Sequence, residues 1–136
     1  MLLVDTGVLI AAADSTDRDH ARCADLLAEC RGDLNVVSLV VAETAWQIER
    51  NLGPRSEAAF VRLITGGELT VVDPIAADWE RAATLIETYE TLRLGLVDAS
   101  IVAVSERLKV TTLATLNQRD FAVVRPAHCT AFELIP

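Results

Sequence analysis

Three acidic residues of this sequence lie at the ends of apolar segments or inside them. The chain opens with the apolar run 2–4, which is too short for anything except a buried strand, and this run ends directly on Asp5. Glu43 lies within a later apolar stretch, and Asp98 lies between two apolar residues. Because an unpaired carboxylate is costly to bury, several of them in such settings indicate a site for a divalent cation.

These acids are positioned by an alternation of short apolar strands and amphipathic helices. Strands are predicted at residues 2–5, 34–37, 69–72, 110–114 and 130–135, and residues 117–120 are predicted to form a polar loop. The alternation predicts one domain over residues 1–136, with a three-layer α/β/α fold and a mainly parallel sheet. Parallel strands end at a common edge, so Asp5, Glu43, Asp98 and either Asn117 or Asp120 are expected to gather there.

Each acid also has a purely structural explanation. Asp5 could cap the helix that begins at Thr6, and Asp98 could be stabilised by the dipole of its own helix. Glu43 has Gln47 and Arg50 one and two turns further along its helix, where an ion pair could form. Taken together, the three acids favour a metal site over three separate coincidences.

The composition limits the function classes. A chain of 136 residues with 51% hydrophobic and 24% charged residues is globular. The formal charge of −8 argues against a general nucleic-acid binder, although an acidic metal site can process RNA that a few local arginines hold. The odd number of cysteines, the lack of a signal peptide and the lack of roughly 20 successive apolar residues predict a cytoplasmic protein without a membrane span.

Four stretches, taken in order, resemble the PIN-domain ribonucleases. They are Leu-Val-Asp5-Thr6, Ser38-x4-Glu43, Gly95-Leu-Val-Asp98-Ala and Thr115-Leu-Asn117-Gln-Arg-Asp120-Phe. The resemblance covers nearly the whole chain and is closest to the VapC toxins of bacterial and archaeal toxin–antitoxin pairs. It implies an Mg2+- or Mn2+-dependent endoribonuclease that cleaves structured RNA such as tRNA or rRNA. It also implies a homodimer that a VapB-type antitoxin inhibits.

The same resemblance implies roles for single residues. Asp5 and Asp98 would be direct or water-mediated metal ligands. Glu43 would complete the acidic pocket and help to orient the attacking water, so these three are the expected catalytic residues. Thr6 would hold a carboxylate through its hydroxyl group.

The fourth acidic position departs from the common pattern, because many relatives have Asp where this chain has Asn117. Asn117 can offer a carbonyl oxygen to a hard cation, and Asp120 can supply charge nearby. Which of the two fills the position stays open, as does the number of metal ions. Arg93, Arg119 and Arg125 are candidates for contacts with the RNA backbone.

Two other functions compete with the nuclease. An Asp-nucleophile phosphatase would need a second acid two residues after Asp5, where this chain has Gly7. It would also need a well-placed lysine, and Lys109 is the only lysine in the chain. The presence of Asn117 motivates the other alternative, a catalytically weak PIN-like module that only binds RNA or protein.

Overall fold

Five short strands form one sheet in this computed structural model, which describes residues 1–136. The strands are β1 (Leu2–Val4), β2 (Leu34–Val37), β3 (Thr70–Val72), β4 (Thr112–Ala114) and β5 (Glu133–Ile135). The helices are α1 (Thr6–Ala13), α2 (His20–Glu29), α3 (Ser38–Leu52), α4 (Pro54–Thr65), α5 (Ala76–Thr88), α6 (Leu96–Leu108) and α7 (Gln118–Val123), and Glu90–Leu92 form a 3-10 turn. The sheet order is β3-β2-β1-β4-β5 and every neighbouring pair is parallel, which confirms the predicted α/β/α class.

The central strands are covered on both faces. Every residue of β1 and β2 is buried, as expected for a parallel sheet between two layers of helices. Helix α6 is also deeply embedded, since all residues from Ala99 to Ser105 are buried. Asp98 therefore lies directly before the buried part of α6.

The position of β1 in the sheet creates a crevice. β1 is paired with β2 on one side and with β4 on the other. The strand order therefore reverses at β1, because β2 and β3 lie on one side of it and β4 and β5 on the other. The register Val4↔Ala114 makes Asp5 and Thr115 emerge side by side at the carboxyl ends of β1 and β4. In open α/β sheets, ligands bind at such a switch point.

One predicted loop is a helix in the structure. Residues 117–120 were expected to form a polar loop, but α7 begins at Gln118 and runs to Val123. Its buried Phe121 makes an edge-to-face contact with Phe132, with ring centroids 6.3 Å apart. Six residues are too few for a clear helical periodicity, and the stabilising contact comes from outside the segment. None of the helices has the length and hydrophobicity needed to span a membrane.

Candidate active site

Asp5 follows β1 directly, and both of its carboxylate oxygens accept hydrogen bonds. The backbone N–H of Thr6 donates to Oδ1 at 2.7 Å, and the hydroxyl of Thr115 donates to Oδ2 at 2.7 Å. The first bond caps the N-terminus of α1, as expected if Asp5 had a purely structural role, and the second links the end of β1 to the end of β4. Asp5 is only 8% exposed, and burial raises the pKa of its carboxyl group more than the two hydrogen bonds lower it.

The prediction for Thr6 was wrong, because its hydroxyl does not hold a carboxylate. Thr6 Oγ1 is buried without a hydrogen-bond partner, and only the backbone N–H contacts Asp5. The expected role falls to Thr115, whose hydroxyl donates to Asp5 and accepts the backbone N–H of Asn117 at 3.0 Å. Thr115 was not among the predicted site residues. It occupies the same position after β4 that Asp5 occupies after β1, and this was the available signal.

Asp98 lies in the first turn of α6 and is partly buried. Burial raises the pKa of Asp98 to about 7, and the negative charges of Asp5 and Glu43 act in the same direction. No arginine or lysine forms an ion pair with any of these three acids. The structure therefore places the three acids within electrostatic reach of one another and leaves their charge uncompensated.

Glu43 does not form the ion pair that its structural explanation requires. Its only side-chain partner is Gln47, whose Nε2 donates to Oε1 at 3.4 Å. The guanidinium of Arg50 instead lies over the ring of Trp46, with Cζ 5.1 Å from the ring centroid. Glu43 therefore has no cationic partner in the acidic pocket.

Asn117 and Asp120 lie side by side at the edge of this pocket. Asn117 Nδ2 donates to Asp98 Oδ2 at 3.2 Å and to Asp120 Oδ2 at 3.1 Å. Asp120 also forms an ion pair with Arg119 at 3.1 Å. Asn117 is therefore the polar group that contacts Asp98, and Asp120 lies behind it with its charge partly neutralised.

The three candidate arginines are engaged to different degrees. Arg119 pairs with Asp120, while Arg125 Nη1 donates to backbone carbonyl groups at the end of α7, including that of Ala122. Arg93 is exposed, and its side chain has no hydrogen bond or ion pair. Its backbone adopts a left-handed conformation with φ 56°. Arg93 is the candidate whose guanidinium is free to bind a phosphate.

The donor set fits a hard divalent cation. It offers oxygen ligands, it includes the carboxyl groups of Asp5, Glu43 and Asp98, which have no cationic partner, and it includes the unpartnered hydroxyl of Thr6. No three His, Cys, Asp or Glu side chains form a ready-made metal cluster. This arrangement suits an ion of the Mg2+ type, which one or two carboxylates hold while it keeps several waters. Fold and site together define an α/β protein with an acidic candidate active site at the carboxyl ends of its central strands.

The sequence and its relatives identify the family. The model of the PIN domain matches residues 2–125, so the chain belongs to the PIN-domain family. The chain is also 31% identical over 135 residues to Ribonuclease VapC26 of Mycobacterium tuberculosis (strain ATCC 25618 / H37Rv), covering 99% of this chain and 100% of that protein.

Solved structures share the fold. VapC20 of Mycobacterium tuberculosis, described as a sarcin–ricin loop cleaving toxin, matches with a TM-score of 0.78 at 21% identity, over 83% of this chain and 87% of that chain. A toxin–antitoxin complex from Klebsiella pneumoniae matches with a TM-score of 0.72 at 19% identity, over 100% and 97% of the two chains. VapBC2 from Rickettsia felis, bound to a DNA fragment from its promoter, matches with a TM-score of 0.68 at 18% identity, over 98% and 96%.

Proposed function

We propose that this chain is the toxin of a VapBC-type toxin–antitoxin pair and cleaves RNA as a metal-dependent endoribonuclease. The observation that carries the proposal is the environment of Asp98, which lies among the charges of Asp5 and Glu43 without a cationic partner. A buried carboxylate whose pKa is raised by its neighbours is a mark of functional sites. Membership of the PIN-domain family and the likeness to a protein named a ribonuclease support the same activity.

Asp5 and Asp98 would hold the cation, with Mg2+ as the first candidate and Mn2+ as a substitute. When bound, such an ion stabilises charge on the phosphodiester and lowers the pKa of water. The remaining tasks belong to the protein. Thr115 and the Thr6 N–H fix both oxygens of Asp5, so this carboxylate is pre-oriented. Glu43, which has no cationic partner, would orient the attacking water and accept a proton from it.

The proposed substrate is structured RNA, either tRNA or rRNA. The likeness to a toxin described as cleaving the sarcin–ricin loop supports a folded RNA target. The net charge of −8 means that RNA must be held by local cations, of which Arg93 is one.

The proposed protein partner is a VapB-type antitoxin. An open apolar cleft between α1, α2 and α4 is lined by Leu9, Ala12, Leu27, Phe60 and Leu63. Leu9 and Phe60 are buried in this cleft, whereas Ala12, Leu27 and Leu63 are partly exposed, so the cleft would suit apolar side chains of a partner protein. Matches to toxin–antitoxin complexes support an antitoxin as the occupant, and the homodimer stays a prediction that sedimentation analysis can test.

The test is cleavage of labelled tRNA and rRNA fragments by the purified chain. We expect cleavage with Mg2+ or Mn2+, no cleavage in excess EDTA and no cleavage by Asp5→Asn. Asp25→Asn, which changes an exposed acid on α2, should cleave like the wild type. The divalent cation should also raise the melting temperature of the wild type but not of Asp5→Asn. Full cleavage in EDTA, or by Asp5→Asn, would contradict the proposal.

The two alternatives differ in how much support they retain. Lys109 caps the C-terminal end of α6 while Asp98 lies in its first turn, about 16 Å away along the helix axis. The phosphatase hypothesis is therefore not supported, because no lysine lies at the site. The binding-only module is favoured by the amide of Asn117 beside Asp98, and growth inhibition that survives Asp98→Ala would support it.

A further inference from the structure

We propose that Trp46 and Arg50 form a stacking subsite for an unpaired RNA base beside the acidic pocket. The proposal rests on the nuclease function above and adds a recognition element to it. Neither residue belongs to the acidic pocket itself, and from the sequence Arg50 is expected only as a neighbour of Glu43 along the helix. In the structure it contacts the ring of Trp46 instead.

The position of the pair on α3 connects it to the site. Trp46 comes three residues after Glu43 and Arg50 comes seven after it, so both lie close to the side of the helix that carries Glu43. They are about 4.5 Å and about 10 Å further along the axis. Gln47, which donates to Glu43, lies on the other side of Glu43, about 100° from Trp46 around the helix axis. The Trp46–Arg50 pair therefore lies within about two turns of Glu43 on the same helix.

The chemistry of the pair suits a base and a phosphate. Trp46 is 58% exposed, although the guanidinium of Arg50 lies over one face of its ring. Arg50 has no carboxylate partner, so its charge is available to RNA. Specific RNA recognition uses unpaired bases that stack on aromatic rings and on arginine planes, and arginine also binds phosphate in a bidentate manner.

RNA fits this surface better than a second protein does. The exposed neighbours of Trp46 on α3 are Ala42, Glu49 and Arg50, which do not make a contiguous apolar patch. In a chain with a formal charge of −8, an arginine without an acidic partner next to an active site complements a polyanion. A second copy of this chain is the competing occupant.

The chain contains a matched control, because Trp79 on α5 is 47% exposed and lies on a different helix. Each variant is made in an Asp98→Asn background, so that a fluorescein-labelled RNA hairpin with an unpaired loop is bound and not cut. We expect Trp46→Ala to weaken binding about 5- to 100-fold, as the loss of one stacked base does. Trp46→Phe should stay within about threefold, Arg50→Gln should weaken binding about 3- to 10-fold, and Trp79→Ala should change nothing.

Intrinsic fluorescence reports the contact directly. With Trp79→Phe only Trp46 emits, and the hairpin should quench its emission, whereas with Trp46→Phe the hairpin should leave the emission of Trp79 unchanged. With Asp98 intact, Trp46→Ala should raise KM more than it lowers kcat. The subsite is overturned if Trp46→Ala has the same RNA affinity and KM as the protein with Trp46 intact and the hairpin leaves Trp46 emission in Trp79→Phe unchanged. RNA cleavage by the wild type would then still uphold the nuclease function.

Two further outcomes also decide against the subsite. Trp46→Ala could convert a dimer into a monomer in sedimentation analysis and leave RNA binding unchanged, in which case this surface belongs to a second copy of the chain. The wild type could also fail to bind or cut any RNA under any divalent cation. That failure would overturn the proposed function first and the subsite with it.

Discussion

The two ends of helix α6 treat buried acids in opposite ways. Near its C-terminal end, Arg81 pairs with Glu106 at 2.8 Å, and Arg107 pairs with Asp78 of α5 at 2.8 Å. At its N-terminal end, Asp98 faces other acids and has no cationic partner. Both sets of carboxylates are partly or fully removed from water, so burial alone does not distinguish them.

The ionisation of the two ends separates them. Burial acts to raise the pKa of Glu106, but hydrogen bonds from Arg81 and from the Ala127 N–H outweigh it and bring the pKa below its ordinary value. Burial also raises the pKa of Asp98, and there the charges of Asp5 and Glu43 add to it. Acids with a cationic partner stabilise the α5–α6 contact, whereas buried acids without one are typical of functional sites.

The largest difference should appear in activity. Asp98→Asn removes a ligand charge from the acidic end, and we expect kcat/KM for RNA cleavage to fall by about 10³-fold, or about 4 kcal/mol of transition-state stabilisation. The matched change at the other end, Glu106→Gln, should leave the activity of the folded protein within about twofold. Initial rates with Mg2+ measure both. An active Asp98→Asn variant would remove the functional distinction between the two ends.

The next effect is on stability, and here the larger loss is expected at the C-terminal end of α6. Arg107→Met leaves Asp78, which is 4% exposed, without its cation and should lower the free energy of unfolding by about 2–3 kcal/mol. Urea denaturation measures the loss. Adding Asp78→Asn to Arg107→Met should recover part of it, since the buried charge is then gone. A neutral effect of Arg107→Met would show that solvent already screens this pair.

The same contrast explains what the sequence could and could not predict. The strands β1 and β2 and the acids beside them were visible because buried parallel strands are continuous apolar runs. The ion pairs were not, since Arg81 and Glu106 are 25 residues apart. Likewise the bond from Thr115 to Asp5 spans 110 residues. Sequence proximity suggests Arg50 as a partner for Glu43, but in the structure the guanidinium of Arg50 packs on the ring of Trp46 instead.

A smaller effect should appear in the pH dependence of stability without metal. The pKa of Asp98 is about 7 in the folded state and about 3.8 in the unfolded state, so the folded state binds the extra proton between these values. The contribution of protonated Asp98 to the free energy of unfolding is therefore complete below about pH 4, falls as the pH rises and is lost above about pH 7. Asp98→Asn should be more stable than the wild type at pH 8 by about 1–2 kcal/mol, a figure reduced for solvent screening, and equally stable near pH 4.

Urea denaturation in EDTA at pH 4, 6 and 8 measures this dependence. The pKa of Asp5 is raised as well, so Asp98→Asn should reduce the slope without abolishing it. Asp25→Asn, on the exposed face of α2, serves as the control and should keep the slope of the wild type. Identical slopes for Asp98→Asn and the wild type would mean that the pKa of Asp98 is the same in the folded and unfolded states.

The smallest effect concerns Asn117, which moderates the acidic end by donating to both Asp98 and Asp120. Asn117→Asp replaces this donor by a carboxylate that contacts the carboxylates of Asp98 and Asp120. Without metal it should lower the free energy of unfolding by about 1 kcal/mol through like-charge repulsion. With Mg2+ or Mn2+ the variant should gain more in melting temperature than the wild type, because the added ligand charge favours a cation. Isothermal titration then counts the ions, and one ion in the wild type against two in the variant would assign the fourth position to residue 117. If Asn117→Asp is as stable as wild type in EDTA and gains no affinity, residue 117 does not fill the fourth position.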